Sequence, residues 1–230
     1  MARSRHDRRS RISRRTRTPV RSARSHGHHN RLFETINAGY PVYPSTITRQ
    51  NPLTRGWDPL QAAVELAHAR NMELHAWVWA FAVGNEAHNV IVGDPIDYPG
   101  PVLAAHPEWA NRDDQERVRH QGSRKTFLDP ANPEARWFVI RQLDEIVNNY
   151  DVDGIQLDYI RYPFQDPGAE RTYGYGSAGR EQFEALTGVD PLTISPAIVI
   201  CGRNGRNFAS ITSLPSCVRC ANGSTVGDQG

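Results

Sequence analysis

Apolar and polar residues alternate along the chain in two different periods, and the pattern predicts strands followed by helices. Three short apolar segments have the length of strands: 32–38, 72–79 and 154–159. Three longer segments have apolar residues three or four positions apart, as in a helix with one buried side: 59–70, 132–150 and 178–187. Strands that alternate with helices indicate an α/β fold with a parallel sheet covered by helices.

The first two helices carry clear start signals. Asp58 precedes Pro59, and Asn132 precedes Pro133. Asp and Asn side chains accept hydrogen bonds from the free backbone N–H groups of a helix start, and Pro has no such N–H to leave unpaired. We therefore expect helices that begin at residues 59 and 133. The second helix should turn five residues toward the core: Val139, Leu143, Ile146, Val147 and Tyr150.

The segment between the second strand and the second helix has neither period. Residues 80–132 are rich in Asn, Asp, Pro and Gly, so we expect them to be irregular. A connection of this length inside a compact domain usually carries function.

The three strand–helix pairs predict part of a larger barrel. A complete (β/α) barrel has eight such units and about 250 residues, whereas this chain has 230 residues and shows about three units. We therefore interpret residues 31–196 as a partial TIM-like (β/α) barrel domain. Residues 1–30 and 197–230 lack the apolar periodicity that a core needs, so we expect disordered or irregular segments there, outside the fold.

The net charge of +2 conceals two regions of opposite sign. Residues 1–30 hold ten Arg and a single acid, Asp7, so the remaining 200 residues carry a net charge of −7. Ten Arg can neutralise several phosphates, but no aromatic residue lies among them, so nucleic acid is not the expected partner. The chain has no apolar run long enough for a transmembrane helix and no readable secretory signal, which leaves its location open.

The second and third strands carry polar and aromatic residues on one face. Successive side chains of a strand point to opposite faces. In the second strand the polar face is formed by Glu73, His75, Trp77 and Trp79. In the third strand Asp158 lies on the polar face, and Tyr159 is expected on the apolar one. Side chains near the C-terminal strand ends line the site at which barrel enzymes act.

Asp158 is the leading candidate catalytic residue. A carboxylate inside a barrel is costly unless it is paired or functional. Glycoside cleavage commonly uses two carboxylates beside the scissile bond, and a carboxylate at a strand tip can act as nucleophile or stabilise positive charge at the anomeric carbon. The alternative that the residues leave open is a structural Asp that pairs with Arg161 or with a neighbouring strand.

Aromatic rings gather near the same strand ends and offer surfaces on which a sugar can stack. These rings belong to Trp77, Trp79, Tyr159 and Tyr162. Ordinary core packing is the open alternative for all of them. His75 could act as an acid or base or could bind a sugar hydroxyl, and a hydrogen-bonded core histidine is its alternative.

Two further clusters resemble metal sites but lack a full ligand set. His26, His28 and His29 lie in the basic leader. Cys217 and Cys220 have the spacing of half a structural zinc site, which needs four ligands. We therefore predict no metal centre and no cofactor.

Four segments, in this order, resemble the family 10 glycosyl-hydrolase-like proteins of bacterial envelopes. They are FETINAGYPVYPS (33–45), GWDPLQAAVELAHARNMELHAWVWAF (56–81), FLDPANPEAR (127–136) and DGIQLDYIRYP (153–163). The resemblance covers about residues 30–196. It implies a TIM-like barrel that acts on glycans, with peptidoglycan-type chains as a suggested substrate.

The same resemblance implies roles for individual residues. Asp158 matches the family's acidic position at a strand end, and this implies the catalytic role. The neighbouring and preceding motifs imply nine substrate-binding residues: Asn37, Tyr43, His75, Trp77, Trp79, Asp129, Tyr159, Arg161 and Tyr162.

The sequence therefore predicts a glycoside hydrolase-like protein that acts on the O-glycosidic bonds of a glycan. The family's first strand is expected before residue 31 and further strands after residue 196. We therefore expect a truncated chain whose catalytic apparatus, including the second carboxylate, is incomplete. The alternative hypothesis is a non-catalytic carbohydrate-binding or scaffold protein that keeps the aromatic cleft.

Overall fold

The structure is a computed structural model and describes residues 30–165 and 171–194. Its strands are β1 (Asn30–Asn37), β2 (Tyr40–Pro41), β3 (Glu73–Trp79), β4 (Ala82–Asn85), β5 (Lys125–Phe127) and β6 (Gly154–Asp158). Its α-helices are α1 (Pro59–His68), α2 (Glu86–Val92), α3 (Pro101–Ala105), α4 (Pro133–Asn149) and α5 (Ser177–Thr187). The predictions for the leader and the tail, including both metal-like clusters, fall outside the described residues, apart from Asn30, which begins β1.

Strands β1, β3 and β6 form the parallel sheet that the alternating pattern predicts. The strand order is β2–β1–β3–β6, and the short β2 adds antiparallel to the end of β1. Helix α1 lies between β1 and β3 in the chain, and α4 lies between β3 and β6. The prediction of a mixed α/β fold with a parallel sheet is confirmed.

The register aligns side chains of the three parallel strands in rows. Trp77 of β3 pairs with Glu34 of β1 and with Gln156 of β6. Because paired residues of neighbouring strands point to the same face, Glu34 lies on the face of Trp77. The register of β1 then shifts between Glu34 and Ile36. This bulge turns Ile36 to the opposite, apolar face, where it pairs with Val78.

One face of the sheet packs against α1 and α4. Strands β1 and β3 and helices α1 and α4 contribute buried apolar side chains to this layer: Ile36, Leu60, Val64, Ala67, Leu74, Ala76, Val78 and Ile146. The other face of the sheet carries Glu34, Trp77 and Asp158. The apolar and polar faces of β3 therefore lie as the alternation predicts.

Both predicted helix starts are confirmed. The side chain of Asp58 accepts a hydrogen bond of 3.0 Å from the backbone N–H of Gln61. The side chain of Asn132 accepts hydrogen bonds of 2.9 and 3.2 Å from the backbone N–H groups of Glu134 and Ala135. These caps satisfy N–H groups that the first helical turn leaves free.

Helix α4 buries a slightly different side from the one predicted. Val139 and Ile146 are buried as expected, but Val147 is 53% exposed, so its predicted core position is wrong. Gln142 and Glu145 are buried instead, so the buried side of α4 is turned relative to the predicted one. Glu145 can be buried because four hydrogen bonds from residues 43–46 satisfy its carboxylate. No helix among the described residues is long and apolar enough to cross a membrane.

The prediction that residues 80–132 are irregular is wrong. The segment contains the antiparallel pair β4–β5 and the short helices α2 and α3. It also builds a second core cluster on α4: Ala80, Val83, Val102, Leu103, Trp109, Ala110 and Leu128, together with Ala135, Phe138 and Val139. Its elements have only three to seven residues each, which is too short for a period to show in the sequence.

Candidate active site

The C-terminal ends of the three parallel strands lie side by side. Asn37 ends β1, Trp79 ends β3 and Asp158 ends β6. Trp79 and Asp158 are paired directly in the register. A polar and aromatic set of side chains is thus placed at the sheet edge where α/β enzymes act.

The Asp158 carboxylate is half-buried and held by two hydrogen bonds. The indole Nε1 of Trp77 donates to its Oδ2 at 3.2 Å, and the backbone N–H of Tyr159 donates to its Oδ1 at 2.7 Å. Among the described residues, no cation forms an ion pair with Asp158. Arg161 instead donates to the carbonyl of Tyr162 at 3.2 Å and lies over the ring of Phe164 at 3.7 Å.

Tyr159 lies on the other face from the one predicted. Its φ angle is +52°, in the left-handed region, so the strand ends at Asp158 and the alternation of faces stops there. The Tyr159 ring packs on Trp79, with 4.6 Å between ring centroids, and on Phe127 at 6.2 Å. A left-handed backbone is uncommon for a bulky residue and is often found at functional sites. Tyr159 thereby joins the polar face.

Lys125 is a site residue that the sequence reasoning missed. Its ammonium lies 5.4 Å from the Trp79 ring centroid and 5.5 Å from that of Tyr159. These distances are in the range of cation–π attraction. Lys125 comes from β5, inside the segment that was expected to be irregular. One signal was available, because it is the only Lys of the chain.

Glu34 is a second missed residue. It is half-buried and lies on the polar face of the sheet with Trp77, its partner in the register. We call this face, which would point into the predicted barrel, the inward face. Among the described residues it has no hydrogen-bond or ion-pair partner. In the strand order, Glu34 and Asp158 lie on either side of Trp77. The alternation of β1 is the available signal for this carboxylate, because it separates Leu32, Glu34 and Ile36 from Phe33 and Thr35. The bulge after Glu34 breaks this alternation, so the pattern does not show which face Glu34 occupies.

His75 lies lower on the same inward face, away from the strand ends. It pairs with Gly154, the first residue of β6, and its Nε2 lies 3.3 Å from a carboxylate oxygen of Glu73. A side chain at Gly154 would collide with the imidazole ring. The structure therefore places His75 four residues before Asp158 along the strands.

Two buried polar atoms near the strand ends have no hydrogen-bond partner among the described residues. They are Oδ1 of Asn37 and Nε1 of Trp79. An unpaired buried polar atom costs about 1–3 kcal/mol. Such groups are rare and are worth a functional explanation where they occur.

Tyr43 lies on the opposite side of the sheet from Asp158. It is fully buried in the layer between the sheet and the helices, and its hydroxyl donates to Oε2 of Glu145 at 3.1 Å. Burial is the largest cause that raises its pKa, and the neighbouring Glu145 carboxylate adds to it. The structure thus does not bring Tyr43 together with the other candidate residues.

Asp129 and Tyr162 lie together, between the starts of α4 and α5. The hydroxyl of Tyr162 donates to Oδ1 of Asp129 at 3.3 Å. Asp129 is 1% exposed and also accepts hydrogen bonds from the backbone N–H groups of Ala131 and Gly179. Burial, followed by the Asp129 carboxylate, raises the pKa of Tyr162 to about 12. Asp129 therefore joins the segment after β6 to the start of α5.

Within residues 30–165 and 171–194, no group of three His, Cys, Asp or Glu side chains is placed to hold a metal ion. The chemistry available at the strand ends is that of one oriented carboxylate, a pair of aromatic rings and one ammonium group. The rings and the ammonium group can bind a polar, ring-shaped ligand, and the carboxylate can react with that ligand.

Comparison with known proteins links these residues to a protein family. Residues 15–196 match a family described as glycosyl hydrolase-like 10. The chain is also similar to glycosyl hydrolase YngK of Bacillus subtilis, with 31% identity over 115 residues, and to glycosyl hydrolase DigH of Escherichia coli, with 28% identity over 149 residues.

The similarity extends over only a part of each relative. The matches cover 50% and 60% of this chain but 20% of YngK and 32% of DigH. The chain thus spans a third or less of the length of these curated relatives. Among solved structures, it is similar to alpha-L-fucosidase isoenzyme 2 from Paenibacillus thiaminolyticus, with 24% identity and a TM-score of 0.47, over 70% of this chain and 21% of that chain.

Proposed function

The chain belongs to the glycosyl hydrolase-like 10 family, and from this premise we propose that it acts on the O-glycosidic bonds of a glycan through Asp158. The observation that carries the proposal is the geometry of Asp158. Its carboxylate stands at the C-terminal end of β6, oriented by Trp77 and by the backbone of Tyr159, and among the described residues no cation neutralises it.

Asp158 is suited to the anomeric carbon of a sugar. During glycoside cleavage this carbon gains positive charge, which a carboxylate can stabilise directly or as a nucleophile. The indole and the backbone N–H fix both carboxylate oxygens, so little reorientation is needed when the charge develops. An Asp that served only to join β6 to its surroundings would gain more from an ion pair with Arg161, whose guanidinium instead lies over the rings of Tyr159 and Phe164.

The half-buried rings of Trp77 and Tyr159 support the binding of a sugar beside Asp158, and the buried Trp79 packs against the Tyr159 ring. Trp79 is paired with Asp158 in the register, and Tyr159 follows it in the chain. Aromatic faces provide a flat apolar surface with polar edges. We propose that the rings of Trp77 and Tyr159 contact the glycan, that Trp79 supports the Tyr159 ring from below, and that Lys125, held over Trp79 and Tyr159, lies at the edge of this surface.

Glu34 fits a binding role better than that of the second catalytic carboxylate. It lies two strands from Asp158 and two residues lower, an offset of roughly 12 Å between backbones from the usual strand spacing and rise. Paired catalytic carboxylates are about 5–5.5 Å or about 6.5–9.5 Å apart, so Glu34 would have to extend its whole side chain toward β6. We assign Glu34 to a sugar hydroxyl. That the second carboxylate comes from another strand stays a prediction.

We further propose that β1, β3 and β6 are consecutive strands of a partial TIM-like barrel within residues 31–196. Their parallel order, the helices on one face and the candidate residues at the C-terminal ends support this arrangement. Among the described residues, β6 has no strand partner on its far edge. Such an edge is where a further barrel strand would pair.

Peptidoglycan-type chains are the substrate that we propose to test first, because the resemblance of the sequence motifs implies them. Purified glycan strands would be incubated with the full chain, and the release of reducing ends would be measured. Asp158→Asn should lower the rate by roughly 100-fold or more, the scale of losing a charge-stabilising group in an active site. Asp144→Asn, on the exposed side of α4, is the matched control and should leave the rate unchanged.

Two results would contradict the proposal. Equal rates for Asp158→Asn and the parent chain would remove Asp158 from the reaction. Glycan binding by the parent chain without cleavage would favour the alternative, a carbohydrate-binding protein that keeps the aromatic surface.

A further inference from the structure

A cavity lies next to β5, apart from the C-terminal ends of β1, β3 and β6. It has a volume of about 600 Å³ and is lined by Thr126, among other residues. Thr126 turns away from the neighbouring Phe127, because successive residues of a strand point to opposite faces. Phe127 packs against Trp79 and Tyr159. An aromatic layer therefore separates this cavity from Asp158.

Four arginines line this cavity, which we call the arginine pocket: Arg117, Arg119, Arg124 and Arg171. Arg119 and Arg171 are largely buried, with side chains 22% and 18% exposed. Asp97 is the acid among the described lining residues, and the amide of Gln121 also lines the pocket. Four guanidinium groups around one space repel one another unless anions lie between them.

Two acidic residues next to the arginine pocket balance only part of this charge. Glu86 pairs with Arg119 at 3.3 Å and with Arg124 at 2.7 Å. Asp113, fully buried, pairs with Arg117 at 2.7 Å and lies 4.0 Å from Arg171. Counting Asp97 as well, the four positive charges face three negative ones among the described residues.

Among the described residues, none accepts a hydrogen bond from the guanidinium of Arg171. The Asp113 carboxylate is already occupied, because it accepts hydrogen bonds from the backbone N–H groups of Gln115 and Arg117 and from Nε of Arg117. Within the part of the chain that the structure describes, Arg171 forms only the 4.0 Å ion pair and no hydrogen bond. Its guanidinium carries five N–H donors. Nη2 of Arg117, which also lines the pocket, is buried and has no hydrogen-bond partner among the described residues, so the pocket holds a donor that lacks an acceptor.

We propose that the arginine pocket binds an oxyanion, the phosphate or carboxylate group of a small ligand or of a substituted sugar. Guanidinium groups match both anions with paired hydrogen bonds. The cavity is large enough for a monosaccharide that carries such a group. This inference does not depend on the role of Asp158, since the two sites lie on opposite sides of the aromatic layer.

Calorimetric titration of the full chain with inorganic phosphate at pH 7 and constant ionic strength, set with chloride, tests the proposal. We expect saturable binding that Arg171→Gln weakens by about tenfold or more, the effect of losing a charge-assisted hydrogen bond. Arg124→Gln, at a more exposed position, should weaken it less. Arg141→Gln on the outer side of α4 is the matched control and should bind like the parent chain.

Further arms separate the sources of the anion. Glucose 6-phosphate that binds more tightly than phosphate, with no binding of glucose, indicates a substituted sugar, whereas equal affinities indicate a free anion. Asp158→Asn should leave phosphate binding unchanged. Absence of phosphate binding by the folded parent chain overturns the proposal. Equal phosphate binding by the parent chain and by Arg171→Gln, with a parent-like circular dichroism spectrum for the variant, overturns it too.

Discussion

The indole nitrogen of Trp77 and the carboxylate of Asp158 are joined across neighbouring strands by a hydrogen bond of 3.2 Å. Trp77 stands two residues below the position paired with Asp158, so its long side chain has to reach up the inward face to make this contact. This hydrogen bond gives Trp77 a second role, separate from stacking on a sugar. It orients the group that we propose to meet the anomeric carbon.

Trp77→Phe tests this orienting role. The variant keeps an aromatic ring but loses the N–H donor, so we expect a fall of about tenfold in the rate of glycan cleavage, equivalent to one hydrogen bond. Glycan affinity should change less than the rate. Trp137→Phe, at a position that is 61% exposed on α4, is the control. A loss of affinity without a loss of rate would assign Trp77 to binding alone.

Glu145→Gln is expected to destabilise the fold. The carboxylate accepts hydrogen bonds from the hydroxyls of Tyr43, Ser45 and Thr46 and from the backbone N–H of Thr46. A neutral amide replaces one acceptor oxygen by a donor and weakens the rest, a loss of about 2–3 kcal/mol for hydrogen bonds to a charged group. Urea unfolding followed by circular dichroism measures it. Glu181→Gln on α5, an exposed position, should unfold like the parent chain.

The same carboxylate makes stability depend on pH. Burial raises the pKa of Glu145, but the hydrogen bonds from Ser45, Thr46 and Tyr43 outweigh burial and hold it below its usual value. A carboxyl with a lowered pKa in the folded state stabilises the fold above its unfolded pKa, and this contribution disappears as the pH falls through the folded value. The free energy of unfolding should therefore decrease below about pH 4.5, and less steeply in Glu145→Gln.

Tyr159→Asn should separate stability from binding. Asn tolerates the left-handed backbone at this position better than Tyr, and we expect a relief of strain of about 1 kcal/mol. The loss of the ring that packs on Trp79 opposes this gain, so the net change in stability should be small. Glycan binding should fall. Tyr159→Phe keeps the ring and should bind like the parent chain; weak binding by this variant would point to the hydroxyl instead.

Local signals account for the parts of the fold that the sequence predicted well. Asp58 and Asn132 each act within three residues, on the N–H groups that they cap. The apolar and polar faces of β3 follow from simple alternation. Asp158 was found because a carboxylate is exceptional in a strand of that composition.

Non-local contacts decided the rest. The face of Tyr159 depends on a left-handed backbone that packing on Trp79 stabilises, and no neighbour in the sequence shows it. Val147 is exposed because Glu145 is drawn inward by residues about 100 positions earlier. Glu34 was hidden by a bulge, which shifts the pairing of β1 after that residue.

Lys125, held over Trp79 and Tyr159, also makes the protein convenient to label. It is the only lysine among 230 residues, so it carries the only side-chain amine of the protein. An amine-reactive fluorophore would label Lys125 and the α-amino group of the chain terminus. Peptide mass mapping would identify the molecules labelled at Lys125, which carry the reporter beside two aromatic rings. Its emission would then follow the occupation of the proposed cleft directly, without an engineered cysteine.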